Sequence, residues 1–339
     1  MTWTSERATV NQIVQIGPEA SGAMGTPVAA GKIIQELDIK PGIKMELTTY
    51  RSVGHRYPAA QEVNKEWSEL PISGNLDYNT LVYIIASAYG RISPAAHGTS
   101  TIAKDWVSNP QLTGLTAAVE PQTYTLQQGD QSRAAQFAGC FVSGWGYKLT
   151  RKDANLTAKM LGQKTSDGVS LSSTPTAIAI AAMLSKHFNV YLDSTQAGLG
   201  TTQLAKILSV EFADDNIRGP TWFLNRSNES FSATVETVPT GKGSILLEAD
   251  STGMAPLTYV RAGTKYYLRV DAVGSEIDTA TTPHTTNAFQ HDMCILFAEP
   301  KPWTDSDGVF AIEYPYSLAE DLTWGQAQKL TVTNLITAL

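Results

Sequence analysis

The chain has 339 residues, of which 42% are apolar, and a formal net charge of −7. Such a length and composition suit a globular protein with enough apolar residues for two cores. The uncharged, Ala-rich segment Thr176–Leu184 is far shorter than the roughly 20 residues that a membrane helix needs. The polar start Met1–Arg7 is unlike a secretory signal. We therefore expect a soluble protein that inserts into no membrane.

Charge is distributed unevenly along the chain. Residues 1–172 hold 15 Lys and Arg against 14 Asp and Glu, whereas residues 173–339 hold 10 against 18. A basic stripe of the kind that grips a phosphate backbone is missing from this distribution, which argues against high-affinity binding of nucleic acid.

One pattern near the N-terminus recurs about 175 residues later. Ile13–Ile16, a Gly-rich turn and Lys32–Ile34 are matched by Asn189–Leu192, a second Gly-rich turn and Lys206–Leu208. Recurrence over such a distance predicts two similar modules. We place them at residues 1–165 and 177–339, joined by a small, polar linker at 166–176.

Apolar and polar residues alternate through much of both halves, a pattern typical of half-buried antiparallel strands. The turn-forming segment Pro239–Gly243 predicts a hairpin between Phe231–Val238 and Ser244–Ala249. Asp305–Gly308 also predicts a solvated hairpin turn. The alternating sets are Ile43/Met45/Leu47, Trp145/Tyr147/Leu149, Phe188/Val190/Leu192, Phe231/Ala233/Val235, Tyr266/Leu268/Val270 and Phe310/Ile312/Tyr314/Tyr316/Leu318.

Two helices are expected, one in each half. Asp77 is a capping residue for a helix with Leu81, Ile84, Ile85 and Ala88 on one face, and Gly90 is its left-handed stop. A shorter helix is predicted from Met254 to Arg261, before Gly263. The predicted fold class is therefore mainly β (α+β), with two tandem β-sandwich or barrel modules that are each flanked by a short α-helix.

The connection from Thr48 to Glu66 is long and polar, and loops of this length usually contact a partner or serve a function. It contains Arg51, His55, Arg56 and Tyr57. Arginine and aromatic residues commonly carry interface energy, so these four are candidates for contacts with a partner.

No catalytic or metal-binding motif stands out in the chain. Cys140 and Cys294 have apolar neighbours and are predicted to be reduced core residues. The five histidines lack partners at ligand spacing, so each is expected in a loop or on the surface. We predict no enzymatic activity, no catalytic residues, no cofactor and no metal. The histidines are His55, His97, His187, His284 and His291.

Several stretches, taken in order, resemble the tail tube (major tail) proteins of long-tailed bacteriophages. The resemblance spans nearly the whole chain and is clearest in the second half, while Gly74–Tyr78 marks a more divergent first copy. The stretches of the second half are His187–Leu192, Leu204–Phe212, Gly219–Asn225, Arg261–Thr264, Glu299–Pro302, Asp307–Tyr314 and Leu330–Leu335.

This resemblance implies a function as well as a fold. Tail tube modules join their strands across subunits into a continuous barrel, and the rings stack into the conduit for genome ejection. Single-module relatives form six-membered rings, so two joined modules imply three chains per ring with pseudo-sixfold symmetry. In such an assembly Arg51, His55, Arg56 and Tyr57 are candidates for inter-ring or inter-subunit contacts. The implied partners are further copies of the chain, the tape measure protein, the tail terminator and distal tail proteins, and double-stranded DNA in transit. The implied location is the virion, after synthesis in the host cytoplasm.

Two other interpretations stay open. One is a different tail structural protein on the same module, a tail terminator or distal tail adaptor, which would form a ring that never stacks. The other is a carbohydrate-binding β-sandwich protein whose tryptophans form a sugar platform. Core and interface packing is the simpler explanation of these residues, which are Trp67, Trp145, Trp222, Trp303 and Trp324.

Overall fold

A computed structural model describes residues 7–110, 118–224 and 229–339. Within these ranges the protein is mainly β, with 51% of residues in strands and 8% helical. No helix in the described part of the chain is long and apolar enough to cross a membrane.

The first half contains twelve strands and the central helix α1, Leu81–Tyr89. A short 3₁₀ turn, Thr9–Asn11, precedes them. The strands are β1 Ile13–Pro18, β2 Lys32–Ile34, β3 Leu37–Ile39, β4 Gly42–Tyr50, β5 Ala60–Asn75, β6 Ala95–Ala96, β7 Lys104–Ser108, β8 Tyr124–Gly129, β9 Ala134–Thr150, β10 Ala154–Gly162, β11 Ser166–Val169 and β12 Thr176–Ala177.

The second half contains ten strands and helix α2, Pro256–Ala262. Two 3₁₀ turns, Ser185–His187 and Gln196–Gly198, flank its first strand. The strands are β13 Phe188–Asp193, β14 Ile207–Asp215, β15 Arg218–Thr221, β16 Ala233–Glu236, β17 Thr240–Glu248, β18 Tyr266–Asp278, β19 Thr285–Phe297, β20 Thr304–Ser306, β21 Val309–Leu318 and β22 Gln328–Asn334.

Strand β9 belongs to two sheets because it bends near Gly139, which has a φ of +60°. Its first residues lie in a sheet of order β11–β9–β8–β1–β2–β12, where only the β2–β12 pair is parallel. From Phe141 onward β9 lies in a second sheet, of order β4–β5–β10–β9–β14–β17–β21–β19. Helix α1 packs on β9, and residues Leu81 to Ala88 are all buried.

In the second half, β19 pairs with three strands. One side of it pairs with β18, which also pairs with β13. The other side pairs with β22 and then with β21, and β22 pairs with β7 of the first half. Among the described residues, the main apolar cluster contains residues of both halves, and a second, small cluster surrounds Cys294.

Several predicted elements are confirmed. The two helices occur, and Gly263 ends α2 in the left-handed conformation. Cys140 and Cys294 are free and buried. The turn predicted at Asp305–Gly308 joins β20 to β21, with φ values of +53° at Asp307 and +81° at Gly308.

Other predictions are wrong in detail. Pro239–Gly243 is not a turn, because Thr240 to Gly243 lie inside β17 and pair with β14. Glycine suits this position, since a Cβ at Gly243 would lie 2.1 Å from the carbonyl oxygen of Glu211. Gly90 has a positive φ of +135°, but with a ψ of 162° it is extended and not left-handed helical.

The predicted loop from Thr48 to Glu66 is mostly strand. Residues 48–50 continue β4 and residues 60–66 belong to β5, so the connection covers only residues 51–59. Ile43, Met45 and Leu47 do alternate along a strand, but they face no core, and each is about half exposed.

Candidate assembly surfaces

Strands β4 and β5 extend beyond the second sheet as a two-stranded ribbon. Residues 68–75 of β5 pair with β10, whereas residues 60–67 pair with β4 alone. We call residues 43–67 the arm. One of its faces exposes Ile43, Met45 and Leu47 to 53%, 48% and 48%. Isolated two-stranded ribbons are marginally stable in water, so this apolar face suits a partner.

The four predicted contact residues all lie at the tip of the arm, within residues 51–59. Tyr57 is 78% exposed. The Arg51 Nε donates a hydrogen bond of 2.8 Å to the carbonyl oxygen of His55. Neither Arg51 nor Arg56 forms an ion pair with any residue that the structure describes. The structure thus brings the predicted residues together, and their contact with another subunit stays a prediction.

A second hairpin, described at residues 216–224 and 229–239, folds back onto the first half. We call it the docked hairpin; β15 and β16 form its stem. Asn216, with a φ of +60°, turns the chain at the end of β14, and asparagine tolerates this left-handed conformation better than most residues. The stem then lies against β9, where the Ile217 amide donates to the carbonyl oxygen of Ser143 at 2.9 Å.

The tip of the docked hairpin is anchored by Phe231, which is fully buried. Its ring lies 5.7 Å from that of Phe141 in an edge-on arrangement, and its carbonyl oxygen accepts a 2.8 Å hydrogen bond from the Gln163 side chain. Beside it, the Glu229 carboxylate lies 2.6 Å from the Lys164 ammonium. The tip therefore binds the first half through an aromatic anchor, an ion pair and several hydrogen bonds, one of them from the Glu66 amide to the carbonyl oxygen of Glu229 at 2.8 Å.

The two halves share a backbone junction, which we call the seam. Residues 145–150 of β9 pair in antiparallel fashion with residues 209–214 of β14. The strands approach closely at Gly146, where a Cβ would lie 2.4 Å from the carbonyl oxygen of Phe212. Tyr147, only 2% exposed, lies opposite Phe212 with ring centroids 5.4 Å apart.

A buried polar network lies beneath the seam. The Tyr89 hydroxyl donates to Asp214 at 2.7 Å and accepts from Trp145 Nε1 at 2.9 Å. Gln328 Nε2 donates to the same Asp214 oxygen at 2.9 Å. Burial raises the pKa of Asp214, and burial beside that carboxyl raises the pKa of Tyr89. Residues distant in sequence are thereby held in one arrangement, since an unpaired member would lose its hydrogen bonds without regaining water.

His291 belongs to the same network, so its predicted place on the surface is wrong. It is fully buried in β19, between the Tyr147 hydroxyl at 3.0 Å and the Gln328 side-chain oxygen at 2.9 Å. The ring of Phe212 lies 4.6 Å away. Burial lowers the pKa of His291 to about 4, so the imidazole is neutral at physiological pH.

The far end of the second half presents an unpaired strand edge. Residues 297–306 run along β21 on one side, and no strand among the described residues pairs with their other side. We call this stretch the open edge. Trp303 on it is 59% exposed, and its ring lies 5.6 Å from that of Phe310, which is also 59% exposed. Pro300 and Pro302 interrupt its row of amide donors.

Between the end of α1 and the end of β21 lies a cleft of about 840 Å³. Tyr89, Asp214 and Gln328 of the buried network form part of its wall. The part of its lining that belongs to the second half includes Pro239, Thr240, Ala319 and Glu320.

The outward face of the shared sheet is formed by small and oppositely charged residues. Across the seam, Lys148 lies opposite Glu211 at 3.3 Å, and Lys301 lies 2.7 Å from Glu313. One register row across six strands contains Ser73, Thr157, Gly146, Ala213, Lys242 and Ser317.

The tryptophans of the sugar-platform hypothesis do not gather in one place. Trp67 and Trp222 contact each other edge-on at 5.8 Å, but Trp145 is buried at the seam and Trp303 lies on the open edge. Trp324 packs beside Tyr267. No family model matches the chain, and no curated protein matches it either.

Proposed function

We propose that the chain is a structural subunit of a bacteriophage tail tube, without enzymatic activity, which joins further copies edge to edge into rings that stack. One observation carries the proposal. The seam joins the two halves by continuing a sheet, while an open edge remains at the far end of the same sheet.

Matching strand pairs support two modules of one design. Each half contains six antiparallel pairs in the same chain order. In the first half they are β1–β8, β8–β9, β9–β10, β10–β5, β5–β4 and β9–β11. In the second half they are β13–β18, β18–β19, β19–β21, β21–β17, β17–β14 and β19–β22.

The turns before the two helices match as well. Asp77 accepts hydrogen bonds from the amides of Asn79 and Thr80. Asp250 accepts them from the amides two and three residues further on in the same way. A shared turn beside shared pairing favours duplication of one module over chance similarity.

In this correspondence, the open edge of the second half is equivalent to the part of β9 that pairs with β14 at the seam. Leu149 pairs with the first residue of β10, and Asp305 pairs with the second residue of β21. Tyr147 then corresponds to Trp303. Tyr147 is buried at the seam, whereas Trp303 is 59% exposed. A second copy that places its β3 and β4 along the open edge would cover Trp303 as β14 covers Tyr147.

Repeating this contact gives a head-to-tail chain of modules, and such contacts form a ring when the rotation closes. Three two-module chains would supply the six modules that single-module tail tube proteins use. Closure also covers strand edges that would otherwise promote aggregation.

The outward face of the sheet suits a conduit. Its small residues and paired charges offer no concentration of positive charge for the DNA backbone, so double-stranded DNA would pass without strong binding. A tape measure protein within the tube and terminator and distal tail proteins at its ends complete the set of proposed partners, in the virion.

Negative-stain microscopy and sedimentation of the purified full-length chain, over a rising concentration series, test the proposal. We expect rings of three chains with a central pore, followed by stacks. Rings that never stack would favour a tail terminator or distal tail adaptor. A monomer at every concentration, particularly one that binds glycans or turns over a substrate, would overturn the proposal.

A further inference from the structure

The docked hairpin shows how a module binds the tip of a two-stranded ribbon. The arm is a similar ribbon whose base contacts the docked hairpin through Trp67 and Trp222, while its tip lies away from both halves. We propose that the arm tip of one copy docks on the second half of the next copy in the same ring. The receiving patch consists of Pro239, Thr240, Leu296, Ala319 and Glu320. This inference rests on the proposed function and specifies the surface through which the copies meet.

The two ribbons correspond residue by residue in their stems. Leu47 pairs with Val63 in the arm as Arg218 pairs with Glu236 in the docked hairpin. The last pairs are Tyr50 with Ala60 and Thr221 with Ala233. Counting back from these ends, Arg56 corresponds to Glu229, and Tyr57 to Ser230.

The receiving surfaces can be matched through the sheet register. Glu69 lies between Gly42 and Leu161, as Lys242 lies between Ala213 and Ser317. Three residues beyond Leu161 is Lys164, and three residues beyond Ser317 is Glu320. The patch on the second half therefore corresponds to the surface of the first half that already holds a tip.

The charge at the matched positions is opposite in sign both on the ribbon tip and on the surface that receives it. Within the chain, the tip residue Glu229 lies 2.6 Å from Lys164. Between copies, the corresponding pair is Arg56 on the tip and Glu320 on the patch. Neither forms an ion pair with a residue in the described ranges. The acidic and basic residues have exchanged places, so the Arg56–Glu320 pair stays attractive. This favours the arm of a second copy as the occupant of the patch, and it disfavours contact between two identical patches or two identical arm tips.

Exposure and space agree with this assignment. Phe231 of the docked tip is fully buried. In the register above it corresponds to Pro58, and the aromatic residue beside Pro58 on the arm tip, Tyr57, is 78% exposed. Four patch residues, Pro239, Thr240, Ala319 and Glu320, line the cleft of about 840 Å³. An aromatic side chain of the tip can enter this space, as Phe231 enters the gap beside Phe141.

Disulfide trapping tests the contact. Within the chain the Lys164 amide donates to the Ser230 hydroxyl at 3.0 Å, so the corresponding positions Glu320 and Tyr57 lie close enough for a disulfide. In the full-length chain carrying Tyr57→Cys and Glu320→Cys, mild oxidation of assembled rings should give covalent dimers and trimers. The native Cys140 and Cys294 are buried and should not interfere.

A matched variant with Tyr57→Cys and Lys152→Cys, an exposed turn position outside the patch, should give less than about a tenth of that cross-linking. A ladder of products that ends at the trimer supports docking within one ring. A ladder that continues past the ring size shows contact with the next ring and overturns the inference. Rings without cross-links also overturn it while leaving the proposed function intact, whereas failure to form rings in the unmodified chain contradicts the proposed function.

Charge exchange gives an independent measurement. Arg56→Glu should raise the concentration at which rings form by about tenfold, and adding Glu320→Arg should restore most of the loss. Arg151→Glu, at an exposed position outside the tip, is the control for net charge. An unchanged assembly concentration in Arg56→Glu, or no rescue by the second substitution, would contradict the proposed pair.

Discussion

The arm and the docked hairpin are the same two-stranded ribbon in two environments. In the docked hairpin, Phe231 is fully buried and Arg218 is 4% exposed, while in the arm the corresponding Leu47 is 48% exposed. The difference lies in whether a neighbouring module is present. The proposed docking of the arm on a second copy would cover its exposed apolar surface.

The largest effect is expected from a substitution that removes the anchor of the docked hairpin. Phe231→Ala should lower the free energy of unfolding of the monomer by about 4 kcal/mol, because a large buried side chain leaves a cavity against Phe141. Urea denaturation measures this loss. Tyr57→Ala in the arm should change the stability of the monomer by less than about 0.5 kcal/mol. Equal losses in the two variants would contradict the contrast between the hairpins.

The buried network beneath the seam makes a pH-dependent contribution to stability through His291. The folded pKa of His291 is about 4, below the ordinary value of 6.5, so the unfolded chain binds the extra proton between these values. Stability from this residue is complete above pH 6.5 and should fall by about 3 kcal/mol as the pH drops towards 4. Asp214 acts in the opposite direction, because its raised pKa favours the folded state as it becomes protonated.

Urea midpoints between pH 7.5 and 4.5 measure this dependence. His291→Gln, which can keep a hydrogen bond to Tyr147, should flatten the profile. His55→Gln, at the exposed arm tip, should leave the slope unchanged. A slope that His291→Gln does not alter would assign the dependence to other groups.

A smaller effect is expected from Tyr89→Phe, which removes the hydroxyl that joins Asp214 and Trp145. Stability should fall by about 2 kcal/mol, since both buried partners lose a hydrogen bond. Tyr50→Phe, on the exposed arm, is the matched control and should be neutral in thermal denaturation. A neutral Tyr89→Phe would mean that the network contributes nothing to holding the halves together.

The smallest effect concerns the ion pair on the outward face of the seam. Lys148→Glu places two carboxylates opposite each other and should lower stability by about 0.5 kcal/mol, because both side chains are more than half exposed. The double variant with Glu211→Lys should recover the loss. Recovery measured in a double-mutant cycle distinguishes pairing from an effect of net charge.

The sequence predicted strands, helices and buried cysteines well where local pattern decides structure. Trp145, Tyr147 and Leu149 alternate and are all buried in β9. The four arm-tip residues were grouped correctly, because they are close in sequence. Their predicted role as contacts with other subunits is still untested.

Features set by distant contacts were missed. His291 lies in a polar sequence context, and only its packing against Tyr147 and Gln328 makes it a core residue. Gly241 and Gly243 favour a turn locally, yet close approach of β14 and β21 places them inside β17. The docked hairpin carried one signal, Phe231 in an otherwise polar stretch, but the sequence does not say which surface buries it.

The prolines at 300 and 302 weaken backbone pairing of the open edge with extended peptides. A strand edge with a full row of amide groups would recruit any extended peptide, and a crowded cell during synthesis of many copies supplies plenty of them. Missing donors make such random capture weak, so productive recognition requires shape and charge from side chains in addition to backbone bonding. If copies assemble as proposed, newly made ones would accordingly accumulate without forming fibrils until a correctly oriented copy arrives.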